Sequence, residues 1–114
     1  MPYLLINTNL QLDKTQELAL LGKSSQAAAA MLGKPERYVM VCIESGMSML
    51  FAGSDAPCAY LELKSLGLPE ARTKEFSQRL CSVIHEDLAI PTERIYIEFS
   101  SPDHQMWGWD GTTF

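Results

Sequence analysis

The first third of the chain has the apolar spacing of a strand followed by a helix. Residues 2–8 are mostly apolar or β-branched, which predicts a strand. Asp13 and Gln16 have the spacing of a capping box and mark the beginning of a helix. Gly33, followed by Pro35, marks its end, since glycine accepts the left-handed cap and proline cannot continue a helix.

Small and apolar residues recur at helical spacing inside this segment. They predict its buried face: Leu18, Leu21, Ser25, Ala28, Ala29 and Leu32. Two further apolar runs follow the helix. Residues 38–43 predict a second strand, and residues 47–52 predict a third, short strand after the turn residues 44–46.

The second half of the chain repeats this order. Residues 58–66 predict a strand, and Pro69 predicts the first turn of a second helix. The apolar face of that helix follows at helical spacing: Phe76, Leu80, Val83, Ile84 and Leu88. Pro91 ends the pattern, residues 94–100 predict a strand, and residues 106–114 have strand composition around turn residues.

The order of elements predicts one α+β domain over residues 1–114, made of two tandem strand–helix–strand units. Its main strands form a four-stranded sheet with two helices on one face. The first strand is apolar on both faces. Successive residues of a strand point to opposite faces, so Leu4 and Ile6 lie on one face and Leu5 lies on the other. A sheet with two apolar faces needs cover on both. We therefore expect self-association to bury the face that the helices leave open.

Composition and charge exclude several classes of protein. Apolar residues make up 46% and charged residues 20% of the chain, which is typical of a folded domain without a membrane span. Fourteen acidic residues against nine basic ones give a net charge of -5, which argues against a nucleic-acid partner. Three cysteines and two histidines lack metal-ligand spacing, so we expect no metal and no cofactor. The absence of a signal-peptide pattern predicts a cytoplasmic location.

Pro2 is the first candidate for chemistry. Removal of Met1 would leave a proline whose ring nitrogen is a free secondary amine. An α-amino group ordinarily has a pKa of about 7.7–8.0, and burial among apolar groups lowers it further. An amine that is neutral near pH 7 is a usable general base. The alternative is that Met-Pro is an ordinary start without function.

Short stretches along the whole chain resemble the macrophage migration inhibitory factor family of the tautomerase superfamily. They are Pro2 with Ile6-Asn7-Thr8-Asn9, Gly33-Lys34-Pro35 with Tyr38, Phe51-Ala52-Gly53-Ser54, Pro57-Cys58-Ala59, Lys64-Ser65-Leu66-Gly67, Arg94-Ile95-Tyr96-Ile97, and Gly108-Trp109 with Thr113-Phe114. Their order and spacing carry the resemblance. It implies a homotrimer in which three sheets form a central barrel with six helices outside, and this would cover the open sheet face.

The resemblance also implies a site between adjacent subunits. Pro2 would be the catalytic base, and Lys34 would bind the substrate carboxylate or polarise its keto oxygen. Ser65 and Leu66 would line the floor. Tyr96 would come from the neighbouring subunit, and four aromatic residues would form the wall and rim: Tyr38, Trp107, Trp109 and Phe114.

Some of these residues have structural alternatives, and one departs from the family pattern. Lys34 near a helix C-terminus is also typical of a solvated cation. Tyr96 and Trp109 are equally typical of half-buried sheet residues. Glu98 stands where relatives have a neutral amide, so its carboxylate would lie beside the pocket and either oppose an anionic substrate or pair with Lys34.

The resemblance implies a phenylpyruvate tautomerase, an isomerase acting on aryl α-keto acids. The alternative is a cytokine-like interaction protein with vestigial tautomerase activity, whose receptor contacts carry no sequence motif. A third hypothesis is hydration–dehalogenation by a protonated Pro2. Relatives with that chemistry rely on extra pocket arginines, and none of the four arginines matches such a position: Arg37, Arg72, Arg79 and Arg94.

Overall fold

Six strands and two α-helices make up the chain. The computed structural model describes all residues from 1 to 114. In chain order the elements are β1 (Tyr3–Thr8), α1 (Lys14–Leu32), β2 (Met40–Glu44), β3 (Ala59–Lys64), α2 (Thr73–Leu88), β4 (Ile95–Ser100), β5 (Gly108–Trp109) and β6 (Thr112–Thr113). Single turns of 3-10 helix cover Glu36–Tyr38, Glu70–Arg72, Thr92–Arg94 and His104–Met106. Neither α-helix is both long and apolar enough to cross a membrane.

The four longer strands form one mixed sheet in the order β2-β1-β3-β4. Strand β1 runs parallel to β2 and antiparallel to β3, and β3 runs parallel to β4. Alternate residues on one face of this sheet are fully buried, among them Leu4, Ile6 and Leu61. These residues pack with Leu20 of α1 and Phe76 of α2 in a single hydrophobic core. The predicted α+β fold, with both helices on one face of a four-stranded sheet, is confirmed.

Helix α1 begins and ends where the sequence predicts. The Asp13 carboxylate accepts a hydrogen bond from the Gln16 backbone N–H at 2.8 Å, and the Gln16 side chain accepts one from the Asp13 N–H at 3.0 Å. This reciprocal pair satisfies two donors that the helix leaves without partners. At the other end Gly33 has φ 62°, the left-handed conformation that favours glycine.

The predicted buried face of α1 is wrong by part of a turn. Its buried residues are Leu20, Ser24, Ala27, Ala28 and Met31. Of the predicted residues only Ala28 is buried, and Leu18 is 59% exposed. Four consecutive alanines at 27–30 offer no preferred side, so the larger side chains Leu20 and Met31 decide which way the helix turns.

The short strand predicted at 47–52 is absent. Only Phe51 pairs there, with Ser54 in an isolated bridge. The Met47 N–H instead donates to the Thr8 carbonyl at 3.1 Å, so the chain turns away beyond the end of β1. The strand predicted at 38–43 begins two residues later, at Met40, because a 3-10 turn ends at Tyr38.

One face of the sheet carries no helix. Side chains there alternate with the buried ones and include the partly buried Tyr3 and Leu5, with Met40 and Tyr96 each 66% exposed. We call this surface the open sheet face. Strands β2 and β4 form the two edges of the sheet. The open sheet face is therefore mixed: Tyr3, Leu5 and Met40 are apolar or aromatic, whereas β3 and β4 place Glu62 and Glu98 on it.

Arg94 fixes the loop at 51–57. Its guanidinium donates hydrogen bonds to the carbonyls of Phe51, Ser54, Ala56 and Pro57, at 2.9 to 3.1 Å. The Asn9 side chain holds the same loop from the other side. It donates to the Asp55 and Ala56 carbonyls at 3.0 and 3.1 Å and accepts from the Cys58 N–H at 2.9 Å. The two side chains replace the backbone pairing that this segment lacks.

We predict that Arg94→Lys lowers the free energy of unfolding by about 2 kcal/mol, because an ammonium cannot reach four carbonyls from one position. Chemical denaturation measures the loss, and hydrogen exchange locates it at the Phe51 and Ser54 amides. Arg79→Lys is the matched control, since Arg79 makes no hydrogen bond or ion pair and its loss should cost less than about 0.5 kcal/mol. Equal stability and equal exchange in both variants would refute the role given to Arg94.

Candidate functional site

Pro2 lies fully buried at the beginning of β1. Its carbonyl accepts a hydrogen bond from the Met40 N–H at 3.0 Å. The next residue, Tyr3, is already paired with Met40 of β2 and Lys64 of β3. Pairing on both edges therefore holds the first residues in place instead of letting them fray.

A first recess of about 410 Å³ surrounds Pro2. Four of the residues predicted from sequence line it: Pro2, Tyr38, Trp107 and Trp109. Trp107 and Trp109 therefore face the same space, as their positions on either side of Gly108 predict. Met1, Tyr3, Arg37, Val39 and Met40 complete its side-chain lining.

A second recess of about 420 Å³ lies beside the first. It brings together five predicted residues: Lys34, Tyr38, Leu66, Trp109 and Phe114. Met1, Tyr38 and Trp109 line both recesses. Met1 is thus a shared wall at the point where the two spaces meet.

The aromatic rings come from separate segments, and Trp109 packs edge to face on Tyr38 and stacks on Phe114. The ring centroids of Tyr38 and Trp109 lie 6.4 Å apart at 83°, and those of Trp109 and Phe114 lie 6.0 Å apart at 21°. A two-residue hairpin turn positions Trp109, because Asp110 and Gly111 both have positive φ, 50° and 78°. The rings form a rigid apolar wall of the kind that binds an aryl group.

The electrostatics of the two recesses favour anions. Lys34 lines one and Arg37 the other, and no Asp or Glu lines either. Burial lowers the pKa of the Met1 α-amino group, and the positive charge of Lys34 lowers this pKa further. The positive form of an amine is therefore disfavoured here. No group of three or more His, Cys, Asp and Glu side chains is placed to hold a metal ion.

Three predicted site residues do not line either recess. Ser65 is fully buried, and its hydroxyl donates to the Leu66 carbonyl at 3.4 Å, so it lies behind the second recess. Tyr96 is on the open sheet face with its ring centroid 4.7 Å from that of Phe51. Glu98 shares that face and accepts a hydrogen bond from the Tyr60 hydroxyl at 2.7 Å. Within one chain, neither Tyr96 nor Glu98 lines the recesses.

Two of the lining residues that the sequence analysis did not place carry basic side chains. Arg37 lies in the wall of the first recess, with its guanidinium carbon 4.7 Å from the centroid of the Tyr38 ring. Arg37 is thus an arginine at the recess, a position that the sequence analysis did not assign to it. His104 lines the second recess. The position of Arg37 directly before Tyr38 could have indicated that it lines the recess. The sequence carries no such indication for His104, which is distant in sequence from Lys34 and Tyr38.

Comparison with known proteins now identifies the class. A four-stranded mixed sheet with two helices on one face is the fold of the tautomerase superfamily. A family model described as macrophage migration inhibitory factor (MIF) matches residues 1–114. The chain belongs to the MIF family, which confirms the resemblance seen in the sequence.

Its relatives come from distant organisms. A macrophage migration inhibitory factor homolog from Brugia malayi is 36% identical over 115 residues, covering 100% of this chain and 99% of its own. A solved macrophage migration inhibitory factor homologue from Prochlorococcus marinus has a TM-score of 0.92 at 39% identity and covers 98% of both chains. The solved macrophage migration inhibitory factor of Trichinella spiralis has a TM-score of 0.90 at 32% identity and covers 98% of this chain and 99% of that one.

We predict that Lys34→Met raises the pKa of the Met1 α-amino group, because it removes a nearby positive charge. The pKa should stay below its ordinary value, since burial, the larger cause, remains. The pH dependence of N-terminal acylation, read by peptide mass spectrometry on protein that retains Met1, measures the shift. Lys74→Met, on the exposed surface of α2, is the control. A shift of the same size in both variants would contradict a specific effect of Lys34.

Proposed function

We propose that this chain, after removal of Met1, is a keto–enol tautomerase acting on phenylpyruvate-type aryl α-keto acids, with Pro2 as the general base. The observation that carries the proposal is the recess itself. A buried proline at position 2 faces an aromatic wall, and an unpaired lysine lines the adjoining recess. Membership of the MIF family supports the same conclusion.

The proposed chemistry begins at the Pro2 nitrogen. Once Met1 is gone, this nitrogen is a secondary amine in the surroundings that lower the pKa of the present α-amino group. It accepts a proton from the carbon beside the ketone. The C–H electron pair becomes the enol double bond, and the carbonyl π pair moves to oxygen. The proton then passes to that oxygen, which returns the amine to its free form, and the reverse sequence ketonises the enol.

Lys34 and the aromatic wall supply binding. Lys34 makes no ion pair within the chain, because the three ion pairs present involve Lys23, Lys64 and Arg72. Its ammonium is free to bind the substrate carboxylate or to stabilise the negative charge that develops on the keto oxygen. Tyr38, Trp107, Trp109 and Phe114 hold the aryl ring, and Leu66 forms the floor with Ser65 behind it.

The proposed assembly is a homotrimer of a single domain, residues 1–114. The open sheet face, with its half-buried Tyr3 and Leu5 and its exposed Met40, supports self-association. Tyr96 lies on the same face, so a neighbouring subunit packed against this surface could offer its Tyr96 to the recess. Glu98 follows two residues later and would arrive beside it. The roles of both as substrate-binding residues depend on this assembly.

We predict that protein with Met1 removed ketonises phenylpyruvate enol and that Pro2→Gly lowers kcat, by less than the about 10²- to 10⁴-fold cost of losing a general base, because a glycine terminus keeps a primary amine. Retained Met1 should abolish the activity, because the proline nitrogen is then an amide without a basic lone pair. Stopped-flow absorbance gives the rates, and intact mass shows which terminus each sample carries.

Lys74→Met serves as the control, because Lys74 lines neither recess. Full activity in a sample whose mass shows Met1 attached would overturn the assignment of Pro2. A folded, fully processed protein that turns over no aryl pyruvate would leave the cytokine-like interaction function as the better hypothesis, since that function places no demand on the Pro2 amine.

We predict that light scattering at micromolar concentration reports a mass about three times 12.7 kDa. Leu5→Glu should shift the protein towards monomer, because it places a charge in the middle of the open sheet face. Leu18→Glu makes the same change on an exposed position of α1 and should leave the mass unaltered. A stable wild-type monomer would contradict the assembly, and far-UV circular dichroism shows whether Leu5→Glu remains folded.

A further inference from the structure

The two recesses adjoin at three shared residues, Met1, Tyr38 and Trp109. Removal of Met1, which the proposed function requires, takes away one of the walls common to both. The two recesses would then be joined beside Tyr38 and Trp109, with Pro2 in the lining of the first. We call this joined space the cleft.

One cation lines each recess. Lys34 belongs to one recess and Arg37 to the other. Neither takes part in an ion pair, and neither side chain makes a hydrogen bond within the chain. No Asp or Glu lines either recess, so each recess is positive, and the lining that the two share, Met1, Tyr38 and Trp109, is apolar or aromatic.

Arg37 is held in a form suited to a planar anion. Its guanidinium carbon lies 4.7 Å from the centroid of the Tyr38 ring, and Tyr38 is itself part of the aromatic wall. Stacking on a ring fixes the plane of a guanidinium and leaves its N–H groups free at the edge. Those groups match the two oxygens of a carboxylate.

We propose that the cleft selects aryl α-keto acids that carry a second anionic group, such as a carboxylate, at the far end of the ring. Lys34 binds the carboxylate of the keto acid, the reacting carbon lies at Pro2, and Arg37 binds the distal anion. This specificity rests on the proposed tautomerase function. The proposed substrates differ from phenylpyruvate by a second anionic group on the ring.

The test compares two substrates that differ only in the distal group. In processed protein we expect 4-carboxyphenylpyruvate to have a higher kcat/KM than phenylpyruvate, and Arg37→Gln to lower the ratio of the two about fivefold, the effect of one exposed ion pair. Arg79→Gln, an equal change of charge outside the cleft, should keep the ratio. High salt should reduce the preference of the wild-type protein, since an exposed charge pair is screened.

A ratio that falls equally in both arginine variants, or in neither, overturns the proposal while phenylpyruvate turnover leaves the tautomerase function standing. A binding measurement separates the two further. Calorimetry should show that the unreactive 4-carboxyphenylacetate binds processed protein more tightly than phenylacetate does, and that Arg37→Gln removes the difference. Equal affinities refute the distal anion site, whether or not the protein turns over any keto acid.

Discussion

Strand β1 is hydrogen-bonded along both edges, and this pairing decides where the second residue of the chain lies. Its partners β2 and β3 are drawn from opposite halves of the sequence. Leu4 and Ile6 anchor the strand in the core on one side, so it cannot slide by one residue without exposing both. A terminal amine is ordinarily the most mobile group of a protein. Here the register of a central strand gives it a fixed place.

The charge pattern of the cleft serves binding and chemistry together. Lys34 lowers the pKa of the amine beside it and also attracts an anion. A substrate carboxylate that pairs with Lys34 offsets that positive charge, so the amine would gain basicity at the moment when it has a proton to accept. An empty cleft disfavours the protonated form of the amine, and an occupied one disfavours it less. In the proposed mechanism Lys34 therefore both binds the substrate and adjusts the basicity of the amine that accepts the proton.

Local chemistry made much of the fold predictable. The capping box at Asp13, the glycine stop at Gly33 and the strand at 94–100 each depend on a few neighbouring residues, and each was confirmed. Failures arose where tertiary structure decides. The strand expected at 47–52 had the composition of a strand but no partner within the chain. The face of α1 depended on which side chains fill the core. Site residues on different segments, such as Pro2, Lys34 and Trp109, could be grouped only through the family resemblance.

Arg94 and Asn9 contact the loop at 51–57 almost entirely through backbone groups. Backbone carbonyls are the same for every residue type, so the path of this loop is encoded mainly by two side chains outside it. The exposed side chain of Asp55 is therefore not needed to hold the loop in place. A fluorophore or a spin label attached there would report on the loop at 51–57 without disturbing the scaffold.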